Sequence, residues 1–187
     1  RLGLACKFKQ QMQQSFHKNL QRQSTGTSSS LLEYDVHRAK QIQHQLTQIP
    51  NLLLLDARSR ARKVPVFSFL IKCGPRFLHY NYVCALLNDI FGIQSRGGCQ
   101  CAGPYAQHLL GMLPHQNKAV EHSLVHTKDE LLRPGLTRLR LPTLATTHDQ
   151  QGSVIAAIAR LAQHGRKFLH AYFYNNQARL LGPHAVH

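Results

Sequence analysis

Apolar residues in this chain recur at two different periods, and the two periods alternate along it. Leu4, Phe8, Met12 and Phe16 fall at helical spacing within 1–20, and Val36, Ala39, Ile42 and Leu46 do so within a second amphipathic segment over 31–48. Pro50 ends that segment, and 52–55 then reads as a short buried strand. Residues 64–71, rich in Val, Phe and Ile, read as a second strand, and Gly74-Pro75 turns the chain. Helical spacing returns over 78–91 through Val83, Leu86, Leu87 and Ile90, with Gly92 placed to cap its C-terminus. A short helix is expected over 107–113, followed by a polar stretch to about residue 133. Residues 136–141 alternate as a strand does. Thr146 or Thr147 then caps a last helix over 149–164 that turns Val154, Ile155, Ile158 and Leu161 inward. No internal repeat interrupts the pattern. Helices exchanged with strands in this way predict an α/β fold, a layered domain of sandwich type.

The expected organisation has three parts. Residues 1–30 form an N-terminal helix and a Ser/Thr-rich loop, 31–165 the α/β domain, and 166–187 a basic tail with Phe168, Tyr172, Phe173 and Tyr174 clustered in it. That aromatic cluster reads as tail packing rather than as a stacking platform for bases. With 187 residues and a hydrophobic fraction of 43%, the chain has enough apolar material for one ordinary core, which argues against wholesale disorder. No apolar run is long enough for a membrane span, and no membrane partner is expected.

Charge sets the chain apart. Lys and Arg number 23 against 8 acidic residues, a formal net charge of +15, which is the balance of a protein that lies against a polyanion. Residues that would meet phosphates are Lys7, Lys9 and Lys18 near the start, Arg58, Arg60, Arg62 and Lys63 in a basic connector, and Arg140 on the strand over 136–141. A solvated loop, the usual fate of a charge run, is the other reading of that connector, and its four positive charges with the net charge favour phosphate contact. The 13 histidines show no ligand spacing. Cys99 and Cys101 lack the second pair that a zinc site needs, so no metal is expected. Five cysteines, an odd number, do not read as an extracellular disulfide framework, which favours a reducing compartment. Gly97-Gly98 fits turn geometry better than a phosphate loop. The chain begins with Arg1, and no secretory leader is visible. That start, with the basic bias, points to an organelle, and the expected location is mitochondrial.

The segment Asn88-Asp89-Ile90-Phe91-Gly92-Ile93-Gln94-Ser95-Arg96-Gly97-Gly98-Cys99-Gln100-Cys101-Ala102-Gly103-Pro104-Tyr105 resembles the stretch before and through the active-site loop of class V aminotransferase-like proteins, the group that includes cysteine desulfurases. There an Arg, a Gly and a Cys-Ala-x-Pro sequence follow at fixed offsets, here Arg96, Gly98, Cys101, Ala102 and Pro104. Pro134-Gly135-Leu136-Thr137-Arg138-Leu139 resembles the strand that carries a substrate-carboxylate arginine in that family. The likeness runs through most of the chain and is weak over 17–30, 114–131 and 166–187. It implies the C-terminal small domain of fold-type I pyridoxal-phosphate enzymes, an α/β sandwich.

For the family's chemistry the resemblance implies Cys101 as a thiolate nucleophile, with Arg96 in its loop and Arg138 gripping an amino-acid carboxylate. The lysine, aspartate and histidine that hold pyridoxal phosphate belong to the preceding large domain, so no cofactor is expected in this chain. An inherited thiol in a Gly-rich turn is the other reading of Cys101. The sequence also departs from the family at Arg140, where a small residue is usual. Two functions follow. The first is a non-catalytic, repurposed domain acting as a basic structural component of a large RNA–protein assembly, with a mitochondrial ribosome the leading candidate and ribosomal RNA and neighbouring proteins its partners. The second is the C-terminal half of an active pyridoxal-phosphate-dependent desulfurase or aminotransferase whose lysine-bearing domain lies on another chain or segment. The charge favours the first.

Overall fold

In the computed structural model, the described residues are 31–55, 57, 61–99, 103–127, 130–142, 146–174 and 180–181, with positions 3, 7, 8, 10–12, 14, 15 and 18 of the N-terminal stretch. Those N-terminal positions are helical, with Phe8 exposed and Met12 half-buried. Helix α1 (Leu31–Thr47) leads into strand β1 (Leu52–Leu54), and β2 (Val66–Cys73) and β3 (Arg76–Phe77) follow. Helix α2 (Tyr80–Phe91), strand β4 (Arg96–Gly98) and helices α3 (Gly103–Leu109) and α4 (Pro114–Thr127) come next. A 3-10 turn (Glu130–Leu132), β5 (Leu136–Arg140) and α5 (His148–His164) complete the main body. Beyond it lie a second 3-10 segment (Gly165–Ala171) and a small ribbon of β6 (Phe173–Tyr174) and β7 (Leu180–Leu181).

The main sheet runs β1-β2-β5-β4, with β3 also paired to β2, and every pairing is antiparallel. The mixed α/β class expected from the alternating periods is therefore what forms. Antiparallel sheets tolerate one open face, and this one uses that freedom. Phe67, Phe69 and Ile71 of β2 point to one side, where they meet Ile42 and Leu46 of α1, Tyr82, Val83, Leu86 and Leu87 of α2, and Ile158 and Leu161 of α5. Phe69, Leu46, Leu86 and Ile158 have no solvent exposure at all. Each such burial contributes roughly 1.5–3 kcal/mol, so the three helices and this one face make the core.

The helix ends follow local chemistry. Gly92 adopts φ +66 at the end of α2, and its N–H reaches Asn88 O at 2.9 Å. Thr147, one of the two expected caps, starts α5 with a capping box: Gln150 N–H donates to Thr147 Oγ1 at 3.2 Å, and Thr147 N–H donates to Gln150 Oε1 at 2.8 Å.

Several expectations shift. Strand β2 starts at Val66 rather than 64, and Val64 is exposed. Pro65 has no amide to give to a ladder, so pairing begins after it. Helix α2 starts two residues later than expected, because Leu78 N–H is held by Ile71 O at 2.9 Å and His79 is the cap. Ile90 does not face the core; it is exposed, one turn beyond the residues that meet the sheet. In β1 only Leu54 is buried, since an edge strand offers one face to the helices, and Leu53 points outward. The short helix begins at Gly103, ahead of the expected 107, with Pro104 in its first turn where a missing N–H costs nothing. The polar stretch after it folds as α4, none of whose residues is buried. Without an apolar stripe, α4 left no periodic signal to read.

Residues 165–174 pack back on α2. Tyr82 O–H donates to Gly165 O at 2.7 Å, Tyr172 O–H donates to Asp89 Oδ2 at 2.9 Å, and the Tyr82 and Tyr172 rings meet edge to face at 5.3 Å. This agrees with tail packing for Tyr172, while Phe168 and Phe173 remain exposed.

Candidate anion-binding site

The same alternation that builds the core on one side of β2 and β5 sets a different set of side chains on the other. Along β5, Thr137 and Leu139 are buried, Arg138 is half-exposed and Arg140 exposed. Along β2, Val66, Ser68 and Leu70 are half-exposed between buried neighbours. Strand register then decides who meets whom. Arg96 of β4 stands directly opposite Arg138 of β5. On the other flank, Ser68 of β2 is opposite Arg138, and Val66 is opposite Arg140. Directly opposed residues of antiparallel strands have Cβ atoms about 5 Å apart on the same face. The row across the open face is therefore Arg96, Arg138 and Ser68, with Arg140 and Val66 one pleat further on.

Two like charges opposed in register are destabilising, and the usual remedy is an acidic neighbour. No strand carries an acidic residue. Among the described residues, the side chains of Arg96, Arg138 and Arg140 make no ion pair. Guanidinium groups without a counter-charge among the described residues can take an anion, and the planar guanidinium fork suits carboxylate and phosphate alike.

Next to this row is a cleft of about 340 Å³, lined by Leu55, Val64, Val66, Ser68, Tyr105 and Leu109 together with Arg62 and Lys63. Helix α3 thus leans over the β2 side of the open face, and the basic connector supplies cations beside it. A larger cleft of about 470 Å³ lies between α3 and α4, with Cys99, Leu110, Leu124 and Arg133 among its walls. Its outer wall is α4, which buries nothing elsewhere, so the better-built surface is the sheet face.

Of the residues expected from sequence, the structure thus brings together Arg96, Arg138 and Arg140 on one face, with Arg62 and Lys63 at the adjoining cleft. Lys7 and Lys18 are exposed helical positions and belong to neither the strands nor that cleft. Cys101, Lys9, Arg58 and Arg60 lie outside the described residues. Sequence reasoning missed Ser68 and Tyr105. The signal for Ser68 was present, as the one hydroxyl in the strand and the one polar residue among its first six.

Beneath the open face the backbone is tightly seated. A Cβ built on Gly97 would sit 2.6 Å from the Tyr80 ring, and one on Gly135 would sit 2.5 Å from it and 2.7 Å from Gly98 Cα. Gly98 itself has φ +110. Turn geometry accounts for Gly98 alone, whereas Gly97 is glycine because α2 packs against β4 there. Cys84, below Gly97, has its thiol pushed up by burial, against the opposing influence of the Ser95 and Thr137 hydroxyls. His79 is pushed down by burial. Burial raises Tyr82 and Tyr174 to about 12, and it raises Tyr172 as well, where the Asp89 carboxylate adds to the effect.

Pyridoxal phosphate does not fit the face itself. Strands β4 and β5 carry no lysine to hold its aldehyde and no acid to meet a pyridine nitrogen. What their arginines suit is an anionic ligand. Among the described residues, no group of three or more His, Cys, Asp or Glu could hold a metal ion, and no helix is long and apolar enough to cross a membrane. A scan against protein-family models and a search of curated proteins return no match for this sequence.

Proposed function

We propose that this chain is the anion-gripping domain of a class V aminotransferase-like protein, its Arg96–Arg138 pair holding the carboxylate of a substrate. The lysine-bearing cofactor domain would be supplied by another segment or another chain. The observation that carries the reading is the register of β4 on β5. The two arginines that the family resemblance marks, 42 residues apart in sequence, are direct cross-strand neighbours, and the described strands carry no acidic residue. Such a pair explains why two destabilising like charges are tolerated: a carboxylate between them is held by charge-assisted bonds to both. The fold agrees at the level of an open antiparallel sheet backed by helices. Cys101, five residues beyond Arg96, is the nucleophile this reading implies.

The test is a titration of the chain with a simple carboxylate such as pentanoate, followed by amide chemical shifts. Shifts centred on β4 and β5 that vanish in Arg138→Gln support the carboxylate grip. Absence of any shift at millimolar ligand rejects it. Purification in native form adds a second readout, since a lysine-bearing companion with absorbance near 420 nm is expected only for an enzyme half.

The net charge of +15 favours a second reading, a basic structural component of a large RNA–protein assembly. In that case the arginine row and the cleft with Arg62 and Lys63 meet phosphates, and binding to single- or double-stranded RNA falls steeply as salt rises. RNA affinity that is unchanged by Arg138→Gln while pentanoate binding is lost separates the two uses of the surface.

A further inference from the structure

The open face holds more cationic groups than one carboxylate needs, and the strand geometry spaces them. Arg138 and Arg140 lie two residues apart on one face of β5, about 7 Å along the strand. They do not share surroundings. Arg138 is flanked by Arg96 on β4 and by Ser68 on β2, one cation and one hydroxyl. Arg140 lies beyond the paired part of β4, which ends at the Arg96–Arg138 register, and its β2 neighbour is Val66. Val66 also lines the cleft that Arg62 lines. The face therefore has two cationic positions, one at Arg96–Arg138 and one at Arg140, joined by the half-exposed surface of Val66 and Ser68.

From this arrangement we infer that the ligand carries two anionic groups, and that it is a short dicarboxylate of the glutarate kind rather than a monocarboxylate. The inference rests on the carboxylate grip proposed above and adds Arg140 as the residue that selects for the second acid group. One carboxylate is held by Arg96 and Arg138, with the Ser68 hydroxyl able to donate to it. The other is held by Arg140, and the methylene chain lies over Val66. Long, flexible guanidinium side chains rooted about 7 Å apart can converge on acid groups a few carbons from each other. A ligand lacking the second acid leaves Arg140 without a partner.

The experiment compares glutarate with pentanoate, which have the same carbon count and differ by one carboxylate, using calorimetry at low ionic strength. Glutarate is expected to bind roughly three- to tenfold tighter, the worth of one added charge-assisted contact at a half-exposed site. Arg140→Ser should bring glutarate to the level of pentanoate, with a much larger loss for glutarate than for pentanoate. Because Arg140 is exposed, the variant keeps the core, which circular dichroism checks. The net charge favours any dianion, so Lys167→Ser, an exposed site with the same loss of charge, is the control. An equal drop in Lys167→Ser would overturn the inference, as would equal affinities for the two acids; both leave the carboxylate grip standing. No binding of either acid overturns both readings.

Discussion

The two faces of the main sheet are written by the same residues in alternation, yet they obey opposite rules. On the inner face Phe67, Phe69, Ile71, Thr137 and Leu139 are buried under α1, α2 and α5. On the outer face Arg96 and Arg140 are exposed and Ser68 and Arg138 half-exposed, with no strand-borne counter-charge among the described residues. The inner face is selected for volume and apolarity, and the outer for charge in register. A one-residue change of position along β2 or β5 therefore moves a substitution from a stability experiment to a binding experiment.

The comparison is sharpest at adjacent residues of β2. Phe69→Ala removes a fully buried ring and is expected to cost about 3–5 kcal/mol of stability. Its neighbour Ser68→Ala, on the outer face, should stay within about 0.5 kcal/mol. Chemical denaturation of both variants tests this. Similar midpoints would mean that the sheet does not divide core from surface as described.

A smaller effect belongs to the seam where the open face meets α2. Gly135→Ala forces a methyl to within 2.5 Å of the Tyr80 ring and 2.7 Å of Gly98 Cα. The backbone cannot yield as a side chain would, so a loss of about 1–3 kcal/mol is expected. Pairing it with Tyr80→Ala should recover only part of that loss, because Gly98 Cα remains in the way. Full recovery would place the whole conflict at the ring.

How much of this could be read from the sequence differs between the two faces. The inner face was legible: Val36, Ala39, Ile42 and Leu46 of α1 and Val83, Leu86 and Leu87 of α2 are buried as their spacing required. Helix α4 was illegible because it buries nothing and so has no stripe. The buried pair Arg38 and Gln151, joined by a hydrogen bond from the guanidinium of α1 to the amide of α5, was also hidden. Both residue types read as solvent-facing, and only tertiary packing sets them together. On the outer face the identities of Arg96 and Arg138 were available from the family resemblance and that of Arg140 from its departure from the family, and alternation put Arg138 and Arg140 on one side. Register was not available. That Arg96 faces Arg138 depends on how β4 docks, and strand pairing at a separation of 42 residues leaves no local trace.

The ribbon β6–β7 supplies a pH-dependent case. His79 caps α2 by accepting from Asn81 N–H at 3.2 Å through Nδ1, and the Tyr174 hydroxyl lies 2.7 Å from the same nitrogen. With Nδ1 the acceptor, the neutral ring carries its proton on Nε2, which is buried without a partner. Burial lowers this pKa from 6.5, so below pH 6.5 the unfolded chain binds a proton that the folded one resists. The stabilisation is complete above pH 6.5 and is lost as pH falls through the lowered folded value. Protection of the Asn81 and Tyr174 amides against hydrogen exchange, relative to the unfolded rate at the same pH, should fall over that acid window in the native protein, and not in His79→Asn, which can still cap. Equal acid sensitivity in both would assign the effect to other groups.

The smallest expected change in stability is on the arginine row itself. Arg138→Ser removes one of two opposed like charges and the stem of a half-exposed side chain, so gain and loss nearly cancel, and the thermal midpoint should move by no more than the equivalent of about 0.5 kcal/mol. In the unmodified chain, adding millimolar sulfate should raise the midpoint by bridging Arg96 and Arg138, since any anion that binds only the folded state stabilises it by mass action. Arg138→Ser should lose most of that response, while Lys167→Ser keeps it. A sulfate response that survives Arg138→Ser would move the anion site off the sheet and erase the difference between the faces. If it is lost, the outer face holds its charges at almost no cost to the fold, as a binding surface carried by a core that does not depend on it.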